Sequence, residues 1–125
     1  MLENKQATAT VAVKDIGVAR RFYEGTLGLK KAEEPEHDVL VYDAGKSKLL
    51  VYRSEYAGTN QATGVTWNVG TKVDEIVEEL RDKGLRFERY DFPDGVREGD
   101  IHVFGKLRTA WFKDPDGNIH SLVNQ

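Results

Sequence analysis

The sequence predicts an α+β fold made of two fused copies of one unit, each a strand, a helix and then two or three more strands. Short runs alternate polar and apolar residues with the period of a half-buried strand. Two other segments place apolar residues three and four apart, the period of a helix with one buried face. These elements also recur at a fixed offset. Val13 and Val69 lie 56 positions apart, as do Gly28-Leu29-Lys30 and Gly84-Leu85-Arg86.

The first strand is read from ATATVAVKD, where Thr8 and Thr10 alternate with Ala9, Val11 and Val13. The helix after it comes from DIGVARRFYEGTLGLK, with Ile16, Ala19, Phe22, Tyr23 and Leu27 on one face. Asp15 is its expected N-cap, because a short carboxylate accepts from exposed amides of the first turn. Gly25 or Gly28 is its expected stop. DVLVYD and SKLLVYR read as strands joined by the turn DAGK.

The second copy opens with GVTWNV. A helix over TKVDEIVEELRDKGLRF follows, placing Val73, Ile76, Val77 and Leu80 inward and Glu75, Glu78, Glu79 and Asp82 outward. Thr71 and Asp74 have the spacing of a capping box, with Asp in place of the usual Glu or Gln. LRFERY, RTAWFK and NIHSLVN are the remaining strands, with an extra loop from about Asp91 to Lys106. No linker separates the copies, so residues 1–125 are expected to form a single domain, with modules of about 7–56 and 63–124. In RTAWFKDPDGNIHSLV, Asp114 to Gly117 fit a type I turn, in which Pro presets φ and Gly takes positive φ.

Composition narrows the function. The chain has 18 basic and 21 acidic residues, a net charge of -3 and a pI near 5.6. A nucleic-acid partner is not expected, because phosphate binding needs clustered Lys and Arg. Lys30-Lys31 and Lys46/Lys48 read as solvated turn residues. There is no cysteine, which excludes disulfides and thiolate chemistry. No run is apolar enough for a membrane span or a signal peptide, so a cytoplasmic protein without a membrane partner is expected.

VAVKDIGVARRFYEGTLGLK and AWFKDPDGNIHSLV, with the repeat between them, resemble the vicinal-oxygen-chelate superfamily of glyoxalase I, bleomycin-resistance proteins and extradiol dioxygenases. The resemblance implies two fused βαβββ modules forming an incomplete, cupped β-barrel with helices outside, around a small-molecule site. Metal-using members carry His, Glu or Gln at four inward strand positions, which fall here on Thr8, Leu50, Gly64 and Ser121. None offers an imidazole or an anionic oxygen, so no metal and no other cofactor is expected. His120 neighbours the fourth position but points to the opposite face by strand alternation. There it should be a partly buried, hydrogen-bonded histidine beside Leu122. His37 should be solvent-facing. A His102-His120-Glu88 metal triad would require the opposite parity.

The same alternation turns Thr8, Thr10, Leu50, Tyr52, Thr66, Asn68 and Ser121 toward one cavity, with Val123 beside Ser121. Trp111 or Phe112 joins them, and Tyr90, Phe92 and His102 come from the extra loop. Hydroxyls, an amide and aromatic walls suit a small neutral or weakly polar ligand, aromatic ones included. The expected function is metal-free binding of such a molecule. The alternative is a glyoxalase- or dioxygenase-like enzyme that uses atypical ligands or the acid/base groups Tyr52 or His102. The superfamily resemblance also implies a homodimer, with residues 5–13 as an interface strand.

Overall fold

The computed structural model describes all 125 residues. After strand β1 (Ala9–Val13), Asp15 keeps an extended backbone and its Oδ1 accepts from the Val18 amide at 3.0 Å, which starts helix α1 (Ile16–Arg20). α1 then widens into a π-helical stretch, Arg21–Thr26, closed by the Leu27 amide donating to the Phe22 carbonyl at 2.9 Å. In the wider turn the neighbours Phe22 and Tyr23 are both buried. π-turns inside helices are uncommon and need a local cause; the burial of two adjacent rings is one.

Strands β2 (Lys30–Glu36), β3 (Val39–Ala44) and β4 (Ser47–Arg53) complete the first sheet, in the order β1-β4-β3-β2. β1 runs parallel to β4 and the other pairs are antiparallel. Lys30-Lys31 therefore belongs to an edge strand, not to a turn. Every residue of β2 is exposed, so the strand has no alternating apolar pattern to read. Its charges and Pro35 suit an edge, where they discourage pairing with another chain.

The second half repeats the plan. β5 (Thr63–Asn68) is followed by a 3₁₀ turn, Gly70–Lys72, and helix α2 (Val73–Asp82). The capping box does not form. The 3₁₀ turn moves the helix start past Thr71, Lys72 takes the N-cap position without a side-chain bond, and Asp74 pairs with Arg108 at 2.8 Å. α2 still buries Val73, Val77 and Leu80, each contributing about 1.5–3 kcal/mol by removal from water.

The remaining strands are β6 (Phe87–Glu88), β7 (Val96–Glu98), β8 (Ile101–Phe104), β9 (Leu107–Lys113) and β10 (Ile119–Val123). The sheet order is β5-β10-β9-β8-β7, and β6 also pairs with β9. Phe87 and Glu88 pair with Phe112 and Trp111, and His102 pairs with Thr109. β6 and β8 thus occupy successive stretches of one edge of β9, with residues 89–100 inserted between them. The strand expected over LRFERY is cut to two residues, because Arg89 turns to Asp100 and the Tyr90 amide donates to His102 instead.

The expected α+β class and paired modules hold, and no barrel closes. The inner sheet faces (Val11, Val13, Leu40, Tyr42, Leu49 and Val51 in the first; Val65, Ala110, Phe112 and Leu122 in the second) join both helices in one 18-residue core. The type I turn forms as read. The Gly117 amide donates to the Asp114 carbonyl at 3.0 Å, and Gly117 has φ 89°.

Candidate functional site

His120 lies on the inner face and is fully buried. The Trp67 indole N–H, which can only donate, reaches His120 Nδ1 at 3.0 Å. That places the imidazole proton on Nε2, which donates to the Tyr23 hydroxyl at 3.1 Å. The Tyr23 hydroxyl donates in turn to Asp114 Oδ2 at 2.7 Å. Phe112 stacks on the ring, with centroids 4.8 Å apart. Burial holds His120 down at about 4 and pushes the Tyr23 phenol well above its ordinary range. Every polar atom in this chain has a partner. It ties β5, β10, the π-turn and the Asp114 turn together, and leaves His120 no free atom for a ligand.

The outer face of the second sheet differs. Glu88, His102, Thr109, Trp111, Ser121 and Thr66 share it, as the registers place Glu88 and Ser121 opposite Trp111, His102 opposite Thr109, and Thr66 opposite Ser121. The alternative between Trp111 and Phe112 is resolved by burial. Phe112 is 1% exposed and packs on Phe22 and Phe87, while Trp111 faces outward. The insertion folds back so that Tyr90 and Phe92 meet His102 and Trp111. Ring centroids lie 4.9 Å apart for His102 and Trp111, 5.4 Å for Tyr90 and Trp111, and 5.8 Å for Phe92 and His102.

His102 sits 2% exposed inside this group. Its Nε2 accepts the Tyr90 amide at 2.9 Å, so the neutral ring carries its proton on Nδ1. Burial keeps it neutral by holding its pKa below the ordinary value. That Nδ1 has no hydrogen-bond partner, and neither does the buried hydroxyl of Thr109 opposite it. Orphaned buried polar atoms each cost about 1–3 kcal/mol. His102 also lines a cavity of about 170 Å³ with Tyr90, Phe92 and Phe104. Thr109 did not emerge from the sequence reading, although it lies two residues before Trp111 and so shares its face.

The other expected residues split between two sheets. Thr8 precedes β1, while Thr10, Leu50 and Tyr52 occupy the outer face of the first sheet, with Thr10 opposite Leu50. Thr66, Asn68 and Ser121 occupy that of the second, where Ser121 Oγ donates to Thr66 Oγ1 at 2.9 Å. Tyr52 and Asn68 are exposed. None of the principal cavities is lined by a member of either set. A single cavity shared by Tyr52, Asn68 and Ser121 is therefore not formed within one chain, because each set backs onto its own sheet.

The Glyoxalase/Bleomycin resistance protein/Dioxygenase superfamily matches residues 5–121. The chain belongs to this superfamily. Among solved structures it is similar to the fosfomycin resistance protein FosX from Mesorhizobium loti, at 15% identity over 100% of this chain and 94% of that one, with a TM-score of 0.69. It is similar to lactoylglutathione lyase from Agrobacterium tumefaciens at 16% identity, over 98% and 95% of the two chains, with a TM-score of 0.71. A glyoxalase family protein from Enterococcus faecalis matches at 18% identity, over 98% and 99%, with a TM-score of 0.73. At these identities the likeness shows the fold. No curated protein sequence matches.

Some members of the superfamily use a metal, and the donor set here does not fit one. Thr8, Leu50, Gly64 and Ser121, the positions the resemblance implies for ligands, carry no imidazole or carboxylate, and no group of three or more His, Asp or Glu side chains is close enough to ligate an ion. His102 and Glu88 share the outer face and His120 the inner, so they form no triad. Glu88 pairs instead with Lys113 at 3.4 Å. No helix is long and apolar enough to cross a membrane.

Proposed function

We propose that the chain binds a small, neutral or weakly polar aromatic molecule on its outer sheet faces without a metal. The observation that carries this reading is the buried, unpaired Nδ1–H of His102 inside a ring of Tyr90, Phe92 and Trp111. Flat aromatic walls supply contact area, and one unmet donor supplies direction. Thr66, Asn68 and Ser121 extend the polar part of the surface. Thr8, Thr10, Leu50 and Tyr52 form a second open wall on the first sheet.

Because these walls belong to different sheets, we place the protein in solution as a homodimer whose second copy covers the open faces. β1, expected to pair across the dimer, is an edge strand already lying against β5 of its own chain. The absence of cysteine supports a cytoplasmic location.

A thermal-shift screen against a library of small aromatic compounds tests the binding reading, since a ligand of the folded state raises Tm. Hits that lose their effect in His102→Gln support it. A screen with no hit sinks it, and about one equivalent of Ni, Zn, Fe or Mn in purified protein sinks its metal-free part. Catalysis by His102 or Tyr52 is a second reading, favoured by the same unpaired imidazole. Turnover of a bound compound, abolished in His102→Gln or Tyr52→Phe, would establish it over binding alone. A clean 14.1 kDa species in sedimentation at micromolar concentration would remove the dimer.

A further inference from the structure

At the root of the 89–100 insertion, Asp100 is 8% exposed and holds two arginines. Arg89 Nε donates to Asp100 Oδ1 at 2.9 Å, and Arg81 Nε lies 3.3 Å from Oδ2. One cation neutralises one carboxylate, so the second is surplus. Both guanidiniums face Asp100 through Nε, and their terminal amino groups make no hydrogen bond to the protein. Arg86 pairs with no acid, and borders the same open cleft of about 480 Å³ as Arg81 and Arg89.

The end of α2 does not cancel this charge. Its last turn is closed by Gly84 donating to the Arg81 carbonyl at 2.9 Å and Leu85 to the Leu80 carbonyl at 3.0 Å. Three guanidiniums against Asp100 leave a local charge of +2 in a chain of net -3. Guanidinium forks match phosphate oxygens bidentately, and forks carried on different elements suit a tetrahedral dianion better than a planar monoanion.

We propose that the Arg81/Arg86/Arg89 cleft binds the phosphate group of a small molecule, as inorganic phosphate or a phosphate monoester. Asp100 holds the two forks in place and Arg86 supplies the third cation. The site is separate from the aromatic surface around His102 and does not depend on it.

The test is a titration of the full-length protein with sodium phosphate and with glycerol 1-phosphate at constant ionic strength, read from arginine Nε–H and Gly84 amide signals in ¹H–¹⁵N spectra. Saturable shifts at Arg81, Arg89 and Gly84 are expected with both anions, and weaker binding of acetate. Arg86→Gln, an exposed change that breaks no contact, should weaken phosphate binding roughly tenfold. Arg89→Gln should weaken it at least as much, with a melting curve to show that the variant is folded. Four results overturn the proposal: shifts that never saturate, shifts reproduced by sodium chloride, acetate binding as tight as phosphate, or wild-type affinity in Arg86→Gln. Retention on phosphatidylglycerol vesicles without a saturable response to either small phosphate overturns it as well.

Discussion

His102 and His120 are both buried on strands of the second sheet, yet they are opposite cases. On the inner face, both nitrogens of His120 are engaged, one by Trp67 and one by Tyr23. On the outer face, one nitrogen of His102 is engaged by a backbone amide and the other by nothing. Burial lowers the pKa of both and keeps both neutral. A histidine inside the fold is thus distinguished by its partners, not by its depth. The hydrogen bonds of His120 form a closed chain, whereas the buried donor of His102 has no partner in the protein.

The largest effects should come from the inner histidine. His120→Leu leaves the Trp67 indole unpaired and unlinks Tyr23 from β10, so we expect a loss of about 2–4 kcal/mol in denaturant unfolding. Binding of any screen hit should be unchanged. Abolished binding with intact stability would reverse the two roles.

Acid should sharpen the contrast. The folded pKa of His120, about 4, lies below the ordinary 6.5. Its contribution is therefore complete above pH 6.5 and is lost as pH falls from there toward 4. That interval corresponds to on the order of 3 kcal/mol, because the unfolded chain takes up the proton first. His102 acts with the same sign. Unfolding measured from pH 7.5 to 4 should show the decline, and His120→Leu should flatten most of it. Equal slopes in the two proteins would mean that His120 is not the group responsible.

Asn68→Leu should weaken ligand binding by on the order of 1–3 kcal/mol through loss of a directional donor and acceptor, with stability nearly unchanged since Asn68 is exposed. Unchanged affinity, measured calorimetrically with a screen hit, would remove Asn68 from the surface.

The smallest effect is the most discriminating. Thr109→Val replaces a buried, unpaired hydroxyl with a methyl of similar shape, so stability should hold or rise by up to about 1 kcal/mol. A loss of more than about 1 kcal/mol would show that the hydroxyl has a partner, as His120 does.

The parts legible in the sequence rest on periodicity. Val13 and Val69 mark the repeat because in each copy a strand ending at or just before them leads directly into a helix. Alternation placed His120 inside, and Thr66, Asn68 and Ser121 outside, because a one-residue slip would bury polar side chains. What escaped lacks a period. β2 has no buried face, the π-turn at Phe22-Tyr23 breaks the 3.6-residue rhythm, and β6 is only two residues long. The sharing of outer-face residues between two sheets was hidden for a further reason. Alternation reports which side of its own sheet a residue takes, not how two sheets lie in space.

The division of one edge of β9 between β6 and β8 has a consequence for how this chain can change. Residues 89–100 leave the edge at Glu88 and return at Ile101, with their ends tied by Arg89 and Asp100. Within that stretch β7 (Val96–Glu98) already pairs with β8, and β8 pairs again with β9 from His102. Residues 89–95, which belong to no strand, are therefore the exchangeable part, where insertions or new rings at positions 90 and 92 would remodel the cover over His102 while β6 to β9 keep their pairing.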